Sequence, residues 1–183
     1  KGMKHSIILL LLLAMMGPAT AQTTDQPAAA AIQWMTWEEA VAASAKEPKP
    51  VFIDLYTSWC HWCHRMDETT FQHPVIANYM NQAFYAVKMD AEMKDTIVFR
   101  GKTFVNPNPE RRRNTHQLAA SLVDGKMSYP SFVVLDGDFN RLDIIPGYRK
   151  AKELEPMLKF FGDKAYATTP YAQYMKEFQG DVQ

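Results

Sequence analysis

The sequence has little cysteine and no net charge. Only two of its 183 residues are cysteine, which allows at most one internal disulfide and excludes a disulfide-rich scaffold. Twenty lysine and arginine residues balance twenty aspartate and glutamate residues, so charge gives no reason to expect nucleic-acid binding. Because 47% of the residues are hydrophobic, disorder throughout the chain is excluded, and one globular domain of ordinary size is expected.

One long apolar run is present, and it lies near the N-terminus. Residues 7–16 are uninterruptedly apolar, Lys4 precedes them, and Gly-Pro and Ala-Thr-Ala follow them. The run is too short to span a bilayer, whereas the small residues after it fit a signal-peptide cleavage site. We expect residues 1–21 to be a cleaved signal peptide and residues 22–33 a flexible lead-in. The protein would then be exported, to a bacterial periplasm, with no stable membrane span after cleavage.

The hydrophobic pattern of the remaining chain alternates between strands and helices. Short apolar runs predict buried strands, and a tight turn predicts an antiparallel partner for the last of them; these strands are residues 51–56, 84–90, 131–135 and 141–145. Helical spacing and start signals predict helices from Trp37, Cys60 and Pro74, and over residues 115–122, 150–161 and 165–178. The result is an α/β fold, a central mixed sheet with helices on both faces.

Both cysteines lie in one pentapeptide, Cys-His-Trp-Cys-His at residues 60–64, where a helix is expected to begin. Two intervening residues place the two sulfurs close enough to bond. The free amides and the positive end of the helix dipole stabilise the first thiolate. Such a thiolate attacks a disulfide and is then displaced by the second thiol. The pattern predicts thiol–disulfide exchange through a redox-active Cys60–Cys63 disulfide, with no other cofactor.

Other functions fit part of this motif. Cys-x-x-Cys-His is also the attachment sequence of c-type haem, with His64 as the axial ligand of an electron-transfer protein. A metal site is a second alternative, since the possible ligands include Cys60, His61, Cys63 and His64. A third is an inert structural disulfide between the two cysteines, although a disulfide that closes so short a loop stabilises the fold little. The strand that leads into the motif through Trp59 favours exchange, because haem c domains are mostly helical.

These features resemble the thioredoxin superfamily over residues 34–162, and most of all its exported bacterial members. Residues 59–66, Trp-Cys-His-Trp-Cys-His-Arg-Met, are similar to a thioredoxin-like subfamily with a Cys-His-Trp-Cys-His core. The chain departs from the family pattern in an insertion at about residues 91–121 and in a C-terminal helical extension at residues 163–183. A non-enzymatic thioredoxin-like binding module is a further alternative.

The resemblance implies roles for individual residues. Cys60 would be the attacking thiol and Cys63 the resolving thiol. Asp54, six residues before Cys60, would be the buried acid that exchanges a proton with Cys63. Pro130 would be the proline that precedes a core strand with a cis peptide bond, and it would leave the backbone of Tyr129 free to pair with an extended substrate.

The substrate-binding candidates surround the cysteines. They are Trp59, His61, Trp62 and Tyr129, whereas the three arginines at residues 111–113 are interpreted as a solvated loop. Strongly oxidising relatives carry a histidine at the second position between the cysteines, which is occupied here by Trp62. We therefore expect a reductase or isomerase of protein disulfides rather than an oxidant, with a separate redox protein as its donor or acceptor.

Overall fold

The computed structural model describes Gly2 and residues 31–183. The expected signal peptide and most of the expected lead-in lie outside these residues. None of the helices in residues 31–183 is both long and apolar enough to cross a membrane.

Five strands of the described chain form one mixed sheet, and two more form a separate hairpin. In chain order the strands are β1 Trp34–Met35, β2 Val51–Tyr56, β3 Tyr85–Asp90, β4 Ile97–Phe99, β5 Lys102–Phe104, β6 Ser131–Leu135 and β7 Arg141–Pro146. The sheet order is β1-β3-β2-β6-β7. β2 lies at its centre, parallel to β3 and antiparallel to β6. The expected central mixed sheet is therefore confirmed.

Helices cover both faces of this sheet. They are α1 Trp37–Ser44, α2 His61–Glu68, α3 Pro74–Ala83, α4 Gln117–Leu122, α5 Ala151–Gly162 and α6 Tyr171–Glu177. Successive side chains of β2 point to opposite faces. Phe52 therefore packs with residues of α2, α3 and α5, while Ile53 packs with residues of α1 and α4 on the other face. Asp54, two residues after Phe52, points to the face that α2 covers.

Local sequence explains where two of these helices begin. Thr36 accepts a hydrogen bond from the Glu39 amide, and the Glu39 side chain accepts one from the Thr36 amide, which closes a capping box at the start of α1. The second helix begins one residue later than its pattern predicts, at His61, because Cys60 has an extended backbone and serves as the N-cap. This one-residue shift matters for the chemistry, because it makes the Cys60 sulfur the group that caps the helix.

The single terminal helix predicted over residues 165–178 is wrong. Residues Ala165–Ala167 form one turn of 3₁₀ helix, and α6 begins only at Tyr171, with Pro170 as its N-cap. Proline has no N–H to donate within a helix, and it therefore divides the segment in two.

Residues 91–116 form a compact loop between β3 and α4. The chain enters and leaves it at one point, where the His116 amide donates to the Ala91 carbonyl at 2.8 Å. Inside the loop, a tight turn at Arg100 and Gly101 joins β4 to β5. Both residues have positive φ, as a two-residue hairpin turn requires. The buried Asn106 side-chain amide donates to the carbonyls of Glu92, Met93 and Asn114. One side chain thus holds both ends of the loop together.

Candidate active site

Cys60 and Cys63 form a disulfide at the start of α2, with their sulfurs 2.08 Å apart. The Cys60 sulfur caps the helix and accepts a hydrogen bond from the Cys63 amide at 3.1 Å. It therefore lies at the positive end of the helix dipole, beside amides that lack helical partners. Cys60 is 5% exposed and Cys63 is 1% exposed, so Cys60 is the more accessible of the two.

The turn between β2 and α2 positions this pair. The Cys60 amide donates to the Thr57 carbonyl at 3.1 Å, which closes the turn directly after β2. A ring nitrogen of His64 lies 2.9 Å from the Ser58 carbonyl. The loop that presents Cys60 is consequently fixed from both sides, by the strand before it and by the first turn of the helix after it.

Asp54 is buried in the centre of the sheet and is paired with a lysine. The register of β2 and β3 sets Asp54 directly opposite Lys88, and Lys88 Nζ lies 2.8 Å from Asp54 Oδ2. Burial raises the pKa of Asp54 to about 6, although the Lys88 charge opposes the rise. Its other oxygen, Oδ1, has no hydrogen-bond partner among the described residues. Asp54 is thus a carboxyl group that can take up or release a proton near neutral pH.

Lys88 connects this buried carboxylate to the surface. Its ammonium also forms an ion pair with Asp67 of α2 and lies about 5 Å from the ring centroids of Trp34 and Tyr56. Burial disfavours the charge of Lys88, but the Asp54 and Asp67 carboxylates outweigh it and raise the pKa of the lysine. The Asp67 side chain is 38% exposed, and Lys88 and Asp67 both line an open cavity. Asp54, Lys88 and Asp67 thus form a row of charged groups that leads from the buried carboxyl to the surface.

Tyr129 and Pro130 lie beside the cysteine loop. The peptide bond between them is cis, and the Pro130 carbonyl accepts a hydrogen bond from the Gly147 amide at 2.8 Å. The Tyr129 ring packs edge-on against the ring of Trp59, with 5.7 Å between the ring centroids. Because Trp59 directly precedes Cys60, the Tyr129 ring lies next to the loop that carries the disulfide.

Two tryptophans form an exposed rim at the disulfide. Trp59 is 47% exposed and Trp62 is 55% exposed, and the Trp62 ring contacts the rings of His61 and Tyr148. Large aromatic side chains so exposed are unusual on a protein surface and are typical of places where another molecule binds. Of the eight residues predicted for the site, seven lie on the turn after β2, on the start of α2 or on the segment before β6, whereas Asp54 lies within β2.

Parts of the chain are similar to known protein sequences. Residues 17–106 match the family described as Thioredox_DsbH, protein of unknown function, DUF255. Spermatogenesis-associated protein 20 of Homo sapiens is 37% identical over 75 residues, which are 40% of this chain and 10% of that protein. The disulfide bond reductase DsbH of Chlamydia pneumoniae is 26% identical over 122 residues, 66% of each protein. The chain thus spans about a tenth of the first relative and two thirds of the second.

Solved structures share the fold over most of their length. A DsbH oxidoreductase superposes with a TM-score of 0.55 at 21% identity, covering 78% of this chain and 92% of that one. A thioredoxin from Thermus thermophilus superposes with a TM-score of 0.55 at 18% identity, covering 75% of this chain and 92% of that one.

The chain has a thioredoxin-like fold.

Lys88 is a residue of this thioredoxin-like site that the sequence reasoning missed. It stands within an otherwise mostly apolar strand, β3, where a lone lysine is costly to bury unless it is paired. The buried acid predicted at Asp54 needed such a partner, and both residues were expected in strands of the same sheet. Their facing position depends on the register of β2 against β3, which the sequence pattern does not specify.

Two further residues reach the thioredoxin-like site from the loop at residues 91–116. Glu92 Oε2 accepts a hydrogen bond from Trp59 Nε1 at 3.1 Å, and the Arg113 guanidinium lies 4.9 Å from the centroid of the Trp59 ring. The sequence reasoning suspected that this insertion lies near the active site but assigned no contact to it. No local pattern marks these contacts, because they join residues that are far apart in the chain.

The residues that could bind a metal or haem have other contacts. In the part of the chain that the structure describes, no group of three or more histidine, cysteine, aspartate or glutamate side chains is arranged to hold a metal ion. The two sulfurs are bonded to each other, and His64 is held by the Ser58 carbonyl. The arrangement around them is one for sulfur exchange: a capped sulfur, a buried acid and an exposed aromatic rim.

Proposed function

We propose that this chain is a thiol–disulfide oxidoreductase that reduces or isomerises protein disulfides outside the cytoplasm. The observation that carries the proposal is the Cys60–Cys63 pair, in which Cys60 caps α2 and is the more exposed sulfur. A thiolate at this position is stabilised by the helix and is poised to act as a nucleophile. The similarity to a relative named disulfide bond reductase supports the same chemistry.

The reaction starts from the reduced pair. The Cys60 thiolate attacks one sulfur of a protein disulfide, forms a mixed disulfide and releases the other substrate sulfur as a thiolate. Cys63 then loses its proton towards Asp54 and attacks the Cys60 sulfur. This step re-forms the Cys60–Cys63 disulfide and releases the second substrate thiol. Two electrons have passed to the substrate, and a separate protein dithiol must return two electrons to the cysteines before the next cycle.

The composition of the motif supports reduction rather than oxidation. A strong oxidant is one whose reduced thiolate is especially stabilised. Trp62 occupies the position next to Cys63 and contributes one neutral donor, while the His64 ring is engaged by the Ser58 carbonyl. The expected signal peptide supports export to a periplasm. The substrates would be proteins with accessible disulfides, and nucleic acid is not among the proposed partners.

The proposal is tested by insulin reduction. The protein with dithiothreitol as electron source should accelerate the precipitation of reduced insulin chains, and a Cys60→Ser, Cys63→Ser variant should leave only the dithiothreitol rate. Equal rates for the two proteins would show that the chain is a binding module rather than an oxidoreductase. An intense visible haem absorption band in protein exported by a bacterium that assembles c-type haem would instead favour the haem alternative.

The direction of exchange is tested by equilibration with glutathione. The Cys60–Cys63 pair should have a reduction potential clearly more negative than about −120 mV, the value of a dedicated oxidant. A measured potential near that value would reverse the proposed direction while leaving the exchange chemistry intact. Trapping with Cys63→Ser in cells should then identify substrates, since mixed disulfides at Cys60 would lack the thiol that resolves them.

A further inference from the structure

Trp59 is held in place by three residues from outside its own loop. Tyr129 packs against the ring edge-on, Glu92 accepts its indole N–H, and the Arg113 guanidinium lies over the ring face at 4.9 Å. Glu92 and Arg113 both belong to the loop at residues 91–116. Half of the Trp59 surface is nevertheless exposed, so the arginine lies on the rim of the disulfide site and not in the core.

The loop holds Arg113 in this position through its neighbour. Asn114 donates to the Asn106 side chain and accepts a hydrogen bond from it. Arg113 itself has a φ of 59°, in the left-handed region that non-glycine residues adopt only at a cost in free energy. The backbone is thus fixed on one side of Arg113, and its conformation directs the side chain to the tryptophan.

The hydrogen-bonding edge of Arg113 is free. Among the described residues, no carboxylate oxygen lies within 4 Å of its guanidinium and no acceptor receives a hydrogen bond from it. Two acids in the loop have other partners: Glu92 accepts from Trp59, and Glu110 pairs with Lys94 at 2.8 Å. A guanidinium stacked on a ring uses its face and leaves its N–H groups available in a planar fork that matches a carboxylate.

We propose that Arg113 binds an acidic side chain of the substrate protein, close in sequence to the substrate cysteine that Cys60 attacks. The inference rests on the proposed function, because it makes Arg113 a specificity residue for the same exchange reaction. The contact with Trp59 already restrains the guanidinium, so less conformational freedom is lost when the carboxylate binds. Arg111 and Arg112 are exposed in the same loop, and within residues 31–183 neither of them lies over an aromatic ring, which makes them matched controls.

The test uses two disulfide-containing peptides that differ only in one residue beside the reactive cysteine, glutamate in one and glutamine in the other. Reduced protein is mixed with each peptide, and the second-order rate constant of disulfide reduction in this single turnover is measured at low salt. We expect the wild type to prefer the glutamate peptide about threefold, the ratio of an exposed ion pair. The preference should fall towards one in about 1 M salt, where charges are screened within about 3 Å.

Single substitutions assign the preference to one side chain. Arg113→Gln should abolish it, and Arg113→Lys should retain part of it, since lysine keeps the charge but not the planar fork. Arg111→Gln and Arg112→Gln remove the same charge from the same loop and should keep the wild-type preference. Equal rates for the two peptides with the wild type, or an equal loss in all three glutamine variants, would overturn the assignment. Failure to reduce either peptide would count against the proposed function instead.

Discussion

Replacing Asp54 with asparagine should stabilise the protein at neutral pH. The carboxyl group is buried between the sheet and α2, and its single ion pair with Lys88 does not fully offset the loss of hydration. Asparagine has nearly the same size and carries no charge. Lys88 keeps a carboxylate partner in the variant, because it also pairs with Asp67.

The magnitude follows from the pKa of Asp54, which is about 6 in the folded protein against 3.8 for an unperturbed aspartate. Between these values the folded state binds more protons than the unfolded state, so wild-type stability falls as the pH rises through this window and is constant above it. A difference of about 2 pH units corresponds to about 3 kcal/mol. The asparagine variant has no carboxyl group to ionise at this position and therefore keeps its stability as the pH rises. Because an unfolded aspartate is already about half ionised at pH 4, the stability of the variant relative to wild type should be about 2.5 kcal/mol higher at pH 7.5 than at pH 4.

The assay is urea unfolding of the oxidised protein at the two pH values, followed by fluorescence. Comparing the variant with wild type at both pH values separates the charge effect from any local change in packing, which is the same at both. Asp67→Asn is the matched control: the side chain contacts the same lysine but is 38% exposed, and its effect should be much smaller. A free-energy difference between wild type and Asp54→Asn that does not change with pH would refute the reasoning.

Three further predictions address the chemistry of the site. In Cys63→Ser the remaining Cys60 thiol should have a pKa below the ordinary value of about 8.5, because its sulfur caps α2. Measuring the alkylation rate as a function of pH gives this pKa, and a value at or above about 8.5 would contradict the prediction. Lys88→Met should raise the pKa of Asp54 further, since the Lys88 charge and hydrogen bond both lower it, and the pH dependence of urea unfolding should extend to higher pH than in wild type. Pro130→Thr should lengthen the lifetime of mixed disulfides with substrates, as resolved by non-reducing gel electrophoresis after acid quench, and unchanged lifetimes would remove Pro130 from the site.

The redox motif and four of the seven strands in the described residues, β2, β3, β6 and β7, could be predicted from the sequence because their causes are local. A strand buried on both faces is a short continuous apolar run, and residues 51–56 and 131–135 have this pattern. The cysteine spacing at the start of a helix is also a local feature. These patterns were sufficient for the fold class and for the cysteines themselves.

The partners of these residues could not be predicted, because they depend on long-range packing. Lys88 faces Asp54 only in the observed register, and Arg113 reaches Trp59 only because residues 91–116 fold back towards the start of α2. The prediction of a single terminal helix was wrong for another reason. The aromatic spacing over residues 165–178 is typical of one helix, but Pro170 interrupts the segment and α6 begins only after it.

The hydrogen bonds of Asn106 suggest how this loop can change during evolution. They run to Glu92, Met93 and Asn114, all within residues 91–116, and the chain enters and leaves at the single contact between Ala91 and His116. A segment with adjacent ends can be exchanged for another as a unit, provided that the replacement also covers the sheet where Ile97 and Phe99 pack. Grafting residues 92–115 onto a thioredoxin with a short connection at this position would transfer Glu92 and Arg113 together. The loop can therefore change in evolution while the cysteines and the buried Asp54–Lys88 pair stay the same.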